Sequence, residues 1–344
     1  MKKVGIMTIY DENNYGNRLQ NYAVQTTLRK RGFDVETIRY NMEYTLSVVK
    51  PGKRLDCFRK FNEMISFAPD NLIMNQDSVI EEDLDKRYDY VVVGSDQIWN
   101  YEYKALFSDK VYASFVDKEK RISLSASIGV NCLPTIPERY EAAKKYMKEM
   151  NGISVREFAG KDLVKQISGR DDAEVLVDPT MLLTKEEWEL VSKKPDNHDE
   201  NEKYILKYFL GEFENDKLMG FAQKHNCKII DICDPNSEYY NIGPSEFLYL
   251  EKNATLILTD SFHSCVFGLL FNVPILVFKR QQSDENNMYS RMETLIKKFE
   301  LKDVEYKGFF DDSVLEVDAQ NIEKCLTFER EKAAKFLDKY LKND

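Results

Sequence analysis

The sequence lacks the basic excess that a nucleic-acid-binding surface requires. Its 59 acidic residues outnumber its 49 lysines and arginines, and the formal net charge is −10. This balance argues against nucleic acid as a partner and against general adhesion to anionic membranes. No apolar run approaches the roughly 20 residues of a bilayer-spanning helix, and residues 1–10 lead straight into polar Asp11–Asn14 rather than into a signal peptide. We therefore expect a cytoplasmic protein without a transmembrane segment.

Metal and nucleotide motifs are also missing. The six cysteines form no C-x-x-C pair and have no histidine at metal-ligand spacing, so we expect reduced thiols, mostly buried, and neither a metal nor a cofactor. No G-x-G-x-x-G follows the first apolar run, and the chain contains neither a P-loop nor a G-x-S-x-G elbow. These absences weigh against dinucleotide binding, P-loop chemistry and a serine nucleophile on such an elbow.

The apolar runs that are present alternate with amphipathic segments, which is typical of an α/β protein. Residues 3–9, 18–31 and 33–40 predict a strand, a helix and a strand. Residues 121–129 predict a further strand, and 214–225 a further helix. The pattern indicates parallel sheets built from βαβ units.

A charged stretch divides this pattern in two. We predict an N-terminal Rossmann-like domain over residues 1–184, a linker over 185–203 in which His198 is exposed, and a C-terminal Rossmann-like domain over 204–317. Residues 318–344 predict an amphipathic helix that can pack back on the first domain. A site would then lie in the cleft that the two domains face.

His263, one of only three histidines, stands where a buried strand turns into a buried helix, next to Asp260 and Ser261. Ligands of open α/β sheets bind at such junctions, and a helix start attracts anions. The helix dipole disfavours the imidazolium form until an anion binds, which suits a proton donor armed by its substrate. The alternative is a buried structural histidine, with Asp260 or Ser261 as a helix N-cap. Cys265 is a weaker nucleophile candidate, because it falls inside the apolar helix.

Polar residues follow the other predicted strands as well, and strand ends of a doubly wound sheet meet in one crevice. The candidate binding residues chosen on this ground are Asn14, Asn17, Arg18, Ser95, Asp96, Gln97, Ser127 and Arg156, with Asp260 and Ser261.

The chain resembles the polysaccharide pyruvyl transferase family. The motifs that carry the resemblance are Asn14–Ala23, Val92–Asn100, Ser125–Gly129, Ile153–Glu157, Val177–Thr180, Thr259–His263 with Asn272–Pro274, and Asn287–Arg291. They occur in family order over roughly residues 3–300. The resemblance implies a GT-B-like fold and transfer of a pyruvyl group from phosphoenolpyruvate to two sugar hydroxyls as a ketal, in surface-polysaccharide biosynthesis. It implies His263 as the general acid or a donor contact and Arg156 as an anion ligand. Phosphoenolpyruvate would be the donor substrate, and a sugar or glycolipid the acceptor.

The resemblance departs at one position, because the family carries Arg-x-His where this chain has Ser261-Phe262-His263. One cation of the donor site is therefore missing, and Arg291, Arg18 or Lys279 could replace it. Two alternatives stay open: a GT-B-like glycosyltransferase that uses a nucleotide sugar, and a non-catalytic sugar- or anion-binding protein. The sequence carries no signal for the acceptor sugar, the stereochemistry or the oligomeric state.

Overall fold

Two parallel β-sheets organise the chain in the computed structural model, which describes residues 1–41, 52–75, 77–80, 83–213, 217–280 and 289–343. The strands are β1 Lys3–Tyr10, β2 Asp34–Asn41, β3 Tyr90–Val93, β4 Arg121–Ser123, β5 Ser154–Val155, β6 Glu174–Val175, β7 Tyr204–Tyr208, β8 Lys228–Asp231, β9 Leu256–Thr259 and β10 Ile275–Val277. The helices are α1 Tyr15–Lys30, α2 Lys53–Asn62, α3 Leu84–Arg87, α4 Pro137–Glu149, α5 Phe158–Ser168, α6 Lys185–Glu189, α7 Lys217–Lys224, α8 Pro244–Asn253, α9 Phe262–Phe271, α10 Ser290–Lys298 and α11 Ala319–Tyr340.

The first sheet has the order β2-β1-β3-β4. Bridges from Ile122 to Gly152 and from Ala126 to Val155 extend it to the β5-β6 pair. The second sheet has the order β10-β9-β7-β8, and every named strand pair in both sheets is parallel. The inner strands β3 and β9 are almost wholly buried, as their continuous apolar sequences require when helices cover both faces.

Helix α1 joins the two halves of the molecule. The Tyr15 ring stacks on Phe247 of α8 at 4.5 Å, and its hydroxyl donates a hydrogen bond to the Ile242 carbonyl over 3.1 Å. Tyr15, Leu19 and residues of the second sheet belong to one buried cluster. The first turn of α1 is therefore held against the second domain.

Helix α11 packs back on the first domain, as the sequence predicted. Ala333, Phe336 and Leu337 share a buried cluster with Val4 and Ile6 of β1. The Arg330 side chain donates hydrogen bonds to the carbonyls of Met181 and Leu183 at 2.8 and 2.9 Å. These contacts place α11, which lies near the end of the described chain, on the N-terminal domain.

Two local predictions are wrong. Residues 121–129 do not form one strand, because Ser125 adopts a left-handed φ of 52° that ends the extended run after Ser123. His198 is not exposed: only 6% of its surface is accessible, and its Nδ1 lies 3.1 Å from the Tyr239 hydroxyl.

Segment 185–203, predicted as a linker, contains α6 with fully buried Trp188. Residues 214–216 of the helix predicted over 214–225 lie outside the described chain.

Candidate active site

His263 is the second residue of α9, two residues from the N-cap Ser261. Ser261 occupies the cap position, but its side chain makes no capping hydrogen bond. The Asp260 carboxylate instead accepts from the backbone N–H groups of Leu210 and Gly211 at 2.8 and 2.9 Å. The start of α9 therefore presents its dipole without a side-chain cap, which suits an anion.

Gly16 in the first turn of α1 touches the imidazole ring of His263. A Cβ atom built on Gly16 would lie 2.0 Å from Nδ1 and 2.3 Å from Cγ of that ring. The residue has an ordinary helical conformation, so glycine is required here for space rather than for backbone freedom. In the sequence, Gly16 stands within the Asn14–Ala23 motif, where nothing indicates this contact.

Asp178 lies at the centre of the site, although it was not among the predicted site residues. Its Oδ2 accepts a hydrogen bond from Arg156 Nη1 over 2.6 Å and lies 3.5 Å from His263 Nε2. Its Oδ1 accepts from the backbone N–H and the hydroxyl of Thr180 at 3.0 and 2.7 Å. One buried carboxylate thus binds the Arg156 guanidinium and lies beside the His263 imidazole, whose buried Nε2 has no hydrogen-bond partner.

The electrostatics of Asp178 follow from this position. Burial alone would raise the pKa of the carboxyl group, but His263 and Arg156 outweigh it and hold the pKa well below its usual value. Asp178 is consequently ionised over the physiological range. A signal was present in the sequence, since Asp178 follows a strand and precedes Pro179 at the start of a short turn, but that pattern fits a structural cap equally well.

Three more predicted site residues, two on the loop after β3 and one on α1, lie next to Asp178 and Arg156. Ser95 Oγ donates to Asp178 Oδ2 over 3.2 Å. Asp96 accepts a hydrogen bond from Asn17 Nδ2 over 2.9 Å, and its Oδ1 lies 3.6 Å from Arg156 Nη2. Burial would raise the pKa of Asp96, but the neighbouring Arg156 and His263 lower it. The site thus gathers the carboxyl ends of β3, β5, β6 and β9.

The guanidinium groups of Arg156 and Arg291 both lie close to the ring of Phe262. The Arg156 Cζ lies 4.6 Å and the Arg291 Cζ 5.8 Å from its centroid. Burial, with repulsion from Arg156, lowers the pKa of Arg291 to about 10. The amide of Gln97, with its oxygen turned to Arg291, accepts from both terminal nitrogens at 2.8 and 2.9 Å. Arg156 Nε is buried and has no hydrogen-bond partner, so the pair retains donor capacity for an anion.

Of the three cations proposed to replace the missing arginine, only Arg291 joins this group. Arg18 is fully buried, with its Cζ 4.4 Å from the centroid of the Tyr10 ring. The Lys279 side chain is 68% exposed and pairs with Glu305 at 3.3 Å. The structure therefore places one replacement near Phe262 and the other two elsewhere.

The remaining predicted residues make local contacts. Asn14 caps α1 by accepting from the Asn17 backbone N–H, and Ser127 donates to Glu157 over 3.2 Å. Asp260 also pairs with Arg280 at 2.8 Å. These side chains shape the loops around the site, and their predicted contact with substrate stays a prediction.

The prediction that the cysteines are free thiols is confirmed, whereas the prediction that most of them are buried is wrong. All six thiols are free, but only Cys265 is buried and the other five are partly exposed. Burial raises the pKa of the Cys265 thiol well above its usual value, which opposes a nucleophilic thiolate. Within the described ranges, no group of three or more His, Cys, Asp or Glu side chains could hold a metal ion, and no helix is long and apolar enough to cross a membrane.

Two α/β domains, each built on a parallel sheet and with their strand ends facing each other, define a GT-B-like protein. The predicted fold class is confirmed. The chain is similar in structure to a putative UDP-N-acetylglucosamine 2-epimerase from Listeria monocytogenes, with a TM-score of 0.52 and 12% identity over 99% of this chain and 98% of that one. It is also similar to a UDP-GlcNAc 2-epimerase from Methanocaldococcus jannaschii, with a TM-score of 0.49 and 14% identity over 95% and 99% of the two chains. Glycosyltransferase SnogD from Streptomyces nogalater gives a TM-score of 0.48 and 12% identity over 99% of both chains.

The family is given by the sequence. The model of the polysaccharide pyruvyl transferase family matches residues 14–282, and the chain belongs to this family. In a comparison with curated protein sequences, none matches this chain. Membership associates the chain with transferase activity and polysaccharide modification in general. Asn287 and Met288 of the last matching motif lie outside the described residues.

Proposed function

We propose that the chain transfers the pyruvyl group of phosphoenolpyruvate to two hydroxyls of a sugar as a cyclic ketal. The observation that carries the proposal is the convergence of His263, Arg156 and Arg291 around Phe262 at the uncapped start of α9. It places one proton donor and two guanidinium groups next to a single aromatic ring.

The charges match such a donor. Phosphoenolpyruvate carries a carboxylate and a phosphate, and guanidinium groups bind both anions in bidentate fashion. Repulsion between Arg156 and Arg291 lowers the pKa of Arg291 to about 10, after the larger effect of burial. A bound anion would relieve that repulsion. Arg291, in α10, would thus supply the positive charge that the family's arginine provides and that Ser261 does not carry.

The proposed reaction begins with proton transfer. The imidazolium of His263 donates a proton to the methylene carbon of the donor, and the positive charge develops at the carbon that bears the phosphate. A sugar hydroxyl adds to that carbon, the carbon–oxygen bond to phosphate breaks, and a second hydroxyl adds to close the ketal. Of the two hydroxyl protons released, one returns to His263 and the other leaves with the phosphate.

Asp178 would support this step without touching the donor. Its ionised carboxylate lies 3.5 Å from His263 Nε2. It also fixes Arg156 through the 2.6 Å hydrogen bond. We therefore propose Asp178 as a positioning residue for both groups. A sugar or glycolipid acceptor, action in the cytoplasm on cell-envelope precursors, and the absence of a cofactor belong to the same proposal.

The test is thermal unfolding with millimolar phosphoenolpyruvate, and separately with UDP-glucose. We expect phosphoenolpyruvate to raise the melting temperature of the natural chain and to have no effect on His263→Ala or Arg156→Ala, both of which should remain folded by circular dichroism. Lys279→Ala is the control and should respond like the natural chain. No stabilisation by phosphoenolpyruvate, or stabilisation by UDP-glucose alone, would exclude the proposal and favour a nucleotide-sugar enzyme or a binding protein.

A further inference from the structure

The connection between β3 and β4, residues 94–120, contains no α-helix although it joins two parallel strands. It is aromatic and ordered: Trp99 Nε1 donates to the Val111 carbonyl over 2.9 Å, and the Trp99 ring packs against Tyr112 with centroids 5.7 Å apart. A connection this long without α-helix or strand of its own is uncommon, and binding loops are among the functional segments that have this form. The proposed reaction uses only its beginning, at Ser95–Gln97.

A cavity of about 230 Å³ lies between this connection and the first turns of α4. Tyr101, Phe107 and Tyr112 line it from the connection, and Arg139 lines it from α4. The remaining lining residues are Leu106, Ser108, Asp109, Glu138 and Ala142. The volume suits a single sugar ring and is smaller than the roughly 300–1,000 Å³ of pockets for larger ligands.

One segment of chain lines the cavity and also contributes to the candidate active site, which lies at the carboxyl ends of the strands of the first sheet. Helix α4 follows the parallel strand β4, so its first turns lie near the carboxyl ends of the strands. The connection starts at that edge too and carries Asp96 and Gln97, which contact Arg156 and Arg291. One segment of chain therefore contributes to both places.

The lining has unused polar capacity beside aromatic surface. The Tyr101 hydroxyl is buried without a hydrogen-bond partner, on a residue that is only 6% exposed. The Arg139 guanidinium lies 4.8 Å from the centroid of the Phe107 ring, and its buried Nε also has no partner. Phe107 is 43% exposed, so part of its ring is accessible to a ligand.

The charges select a neutral ligand. Asp109 and Glu138 bring two carboxylates to the lining against the single guanidinium of Arg139, which would repel a free anion. Sugar hydroxyls both donate and accept hydrogen bonds, so carboxylates and a guanidinium can both bind them. The apolar face of a pyranose ring packs against aromatic side chains such as Phe107.

We propose that this cavity is a subsite for a neutral pyranose unit of the acceptor saccharide. Its role as an acceptor subsite rests on the proposed function, whereas sugar binding in the cavity does not. The exposed part of the Phe107 ring would pack against the pyranose, Arg139 would bind a hydroxyl beside it, and Tyr101 would bind one hydroxyl at the base. The long aromatic connection would then link acceptor recognition to the site of transfer.

The test uses the whole chain without phosphoenolpyruvate and a panel of methyl glycosides: β-D-glucopyranoside, β-D-galactopyranoside, α-D-mannopyranoside and N-acetyl-β-D-glucosaminide. Ligand-observed NMR titration measures their dissociation constants. We expect at least one glycoside to bind and its affinity to fall about fivefold or more in Phe107→Ala and in Arg139→Gln. Phe328→Ala, which removes a 64% exposed ring from α11, is the matched control and should leave binding unchanged.

Two outcomes would overturn the inference: no glycoside of the panel binds, or binding is the same in both cavity variants and in the natural chain. Failure of the proposed function looks different, because phosphoenolpyruvate would then give no stabilisation while glycoside binding still depended on Phe107. Failure of the inference would leave stabilisation by phosphoenolpyruvate intact and show no glycoside binding that depends on Phe107.

Discussion

Gly16 leaves the space that the His263 ring occupies. A Cβ atom at position 16 would lie 2.0 Å from Nδ1, well inside van der Waals contact. Gly16 lies in α1, which follows β1, and His263 lies in α9, which follows β9 in the other domain. The two domains approach each other through this contact. The position of the candidate proton donor therefore depends on the absence of a side chain 247 residues earlier (263 − 16).

Gly16→Ala tests that contact. Alanine in place of glycine inside a helix normally stabilises it by about 1 kcal/mol, but displacing the His263 ring from a packed site costs about 1–3 kcal/mol. We expect a lower free energy of unfolding in urea and loss of stabilisation by phosphoenolpyruvate. In the double variant Gly16→Ala/His263→Ala the clash is absent, so alanine should no longer destabilise relative to His263→Ala.

Gly220→Ala in α7 is the control, because a Cβ there meets no atom within 4 Å. It should be neutral or stabilising by up to about 1 kcal/mol. If Gly16→Ala behaves like Gly220→Ala, the ring does not depend on the glycine.

Asp178→Asn removes the charge that Arg156 and His263 share. Leaving buried cations without their carboxylate typically costs about 3–5 kcal/mol, and we expect a loss of this size in urea unfolding at pH 7. Asp303→Asn is the control: its exposed pair with Lys307 should contribute less than about 1 kcal/mol. Equal effects of the two substitutions would contradict a central role for Asp178.

The pH dependence of that difference has a definite sign. Although burial opposes it, His263 and Arg156 lower the pKa of Asp178 in the folded chain. Its stabilisation is therefore complete above the ordinary aspartate pKa of about 3.9 and is lost as the pH falls below that value. The gap between the natural chain and Asp178→Asn should be largest at pH 7 and smaller at pH 3.5. A gap that widens on acidification would contradict the assignment.

Arg291→Gln separates anion binding from stability. Burial and the charge of Arg156 lower the pKa of Arg291 to about 10, so its removal also relieves a repulsion, and we expect little change in the melting temperature of the free protein. Affinity for phosphoenolpyruvate should fall about tenfold or more, as for a lost charged hydrogen bond. Lys279→Gln should retain full affinity. If Lys279→Gln weakens binding and Arg291→Gln does not, the replacement cation is misassigned.

His198 should make the chain sensitive to mild acid. Burial lowers its pKa, so the unfolded chain binds a proton more readily, and stability should fall as the pH drops below about 6.5. The melting temperature of the natural chain, compared between pH 7.5 and pH 5.5, should fall more than that of His198→Gln. His225→Gln, which alters a ring paired with Asp312 at 3.0 Å, should keep the decline of the natural chain. An unchanged decline in His198→Gln would contradict this explanation.

Much of the fold was predictable, because buried parallel strands are written as continuous apolar runs. The strand predicted over residues 3–9 begins at the first residue of β1 and ends one residue before its last. Charged composition misled the prediction that His198 is exposed, since local polarity does not show that its ring packs against the aromatic rings of Tyr204 and Tyr249.

The amino-acid pattern was enough to show that polar residues follow several buried strands, that His263 stands at the start of an apolar helix, and that Ser261 stands where the family has an arginine. The folded structure was needed to show that Asp178 lies between His263 and Arg156, that Gly16 makes room for the ring, and that Arg291 rather than Arg18 or Lys279 reaches Phe262. The reason is physical. Strand and helix preferences act over neighbouring residues, whereas these contacts depend on how two separately built domains pack together.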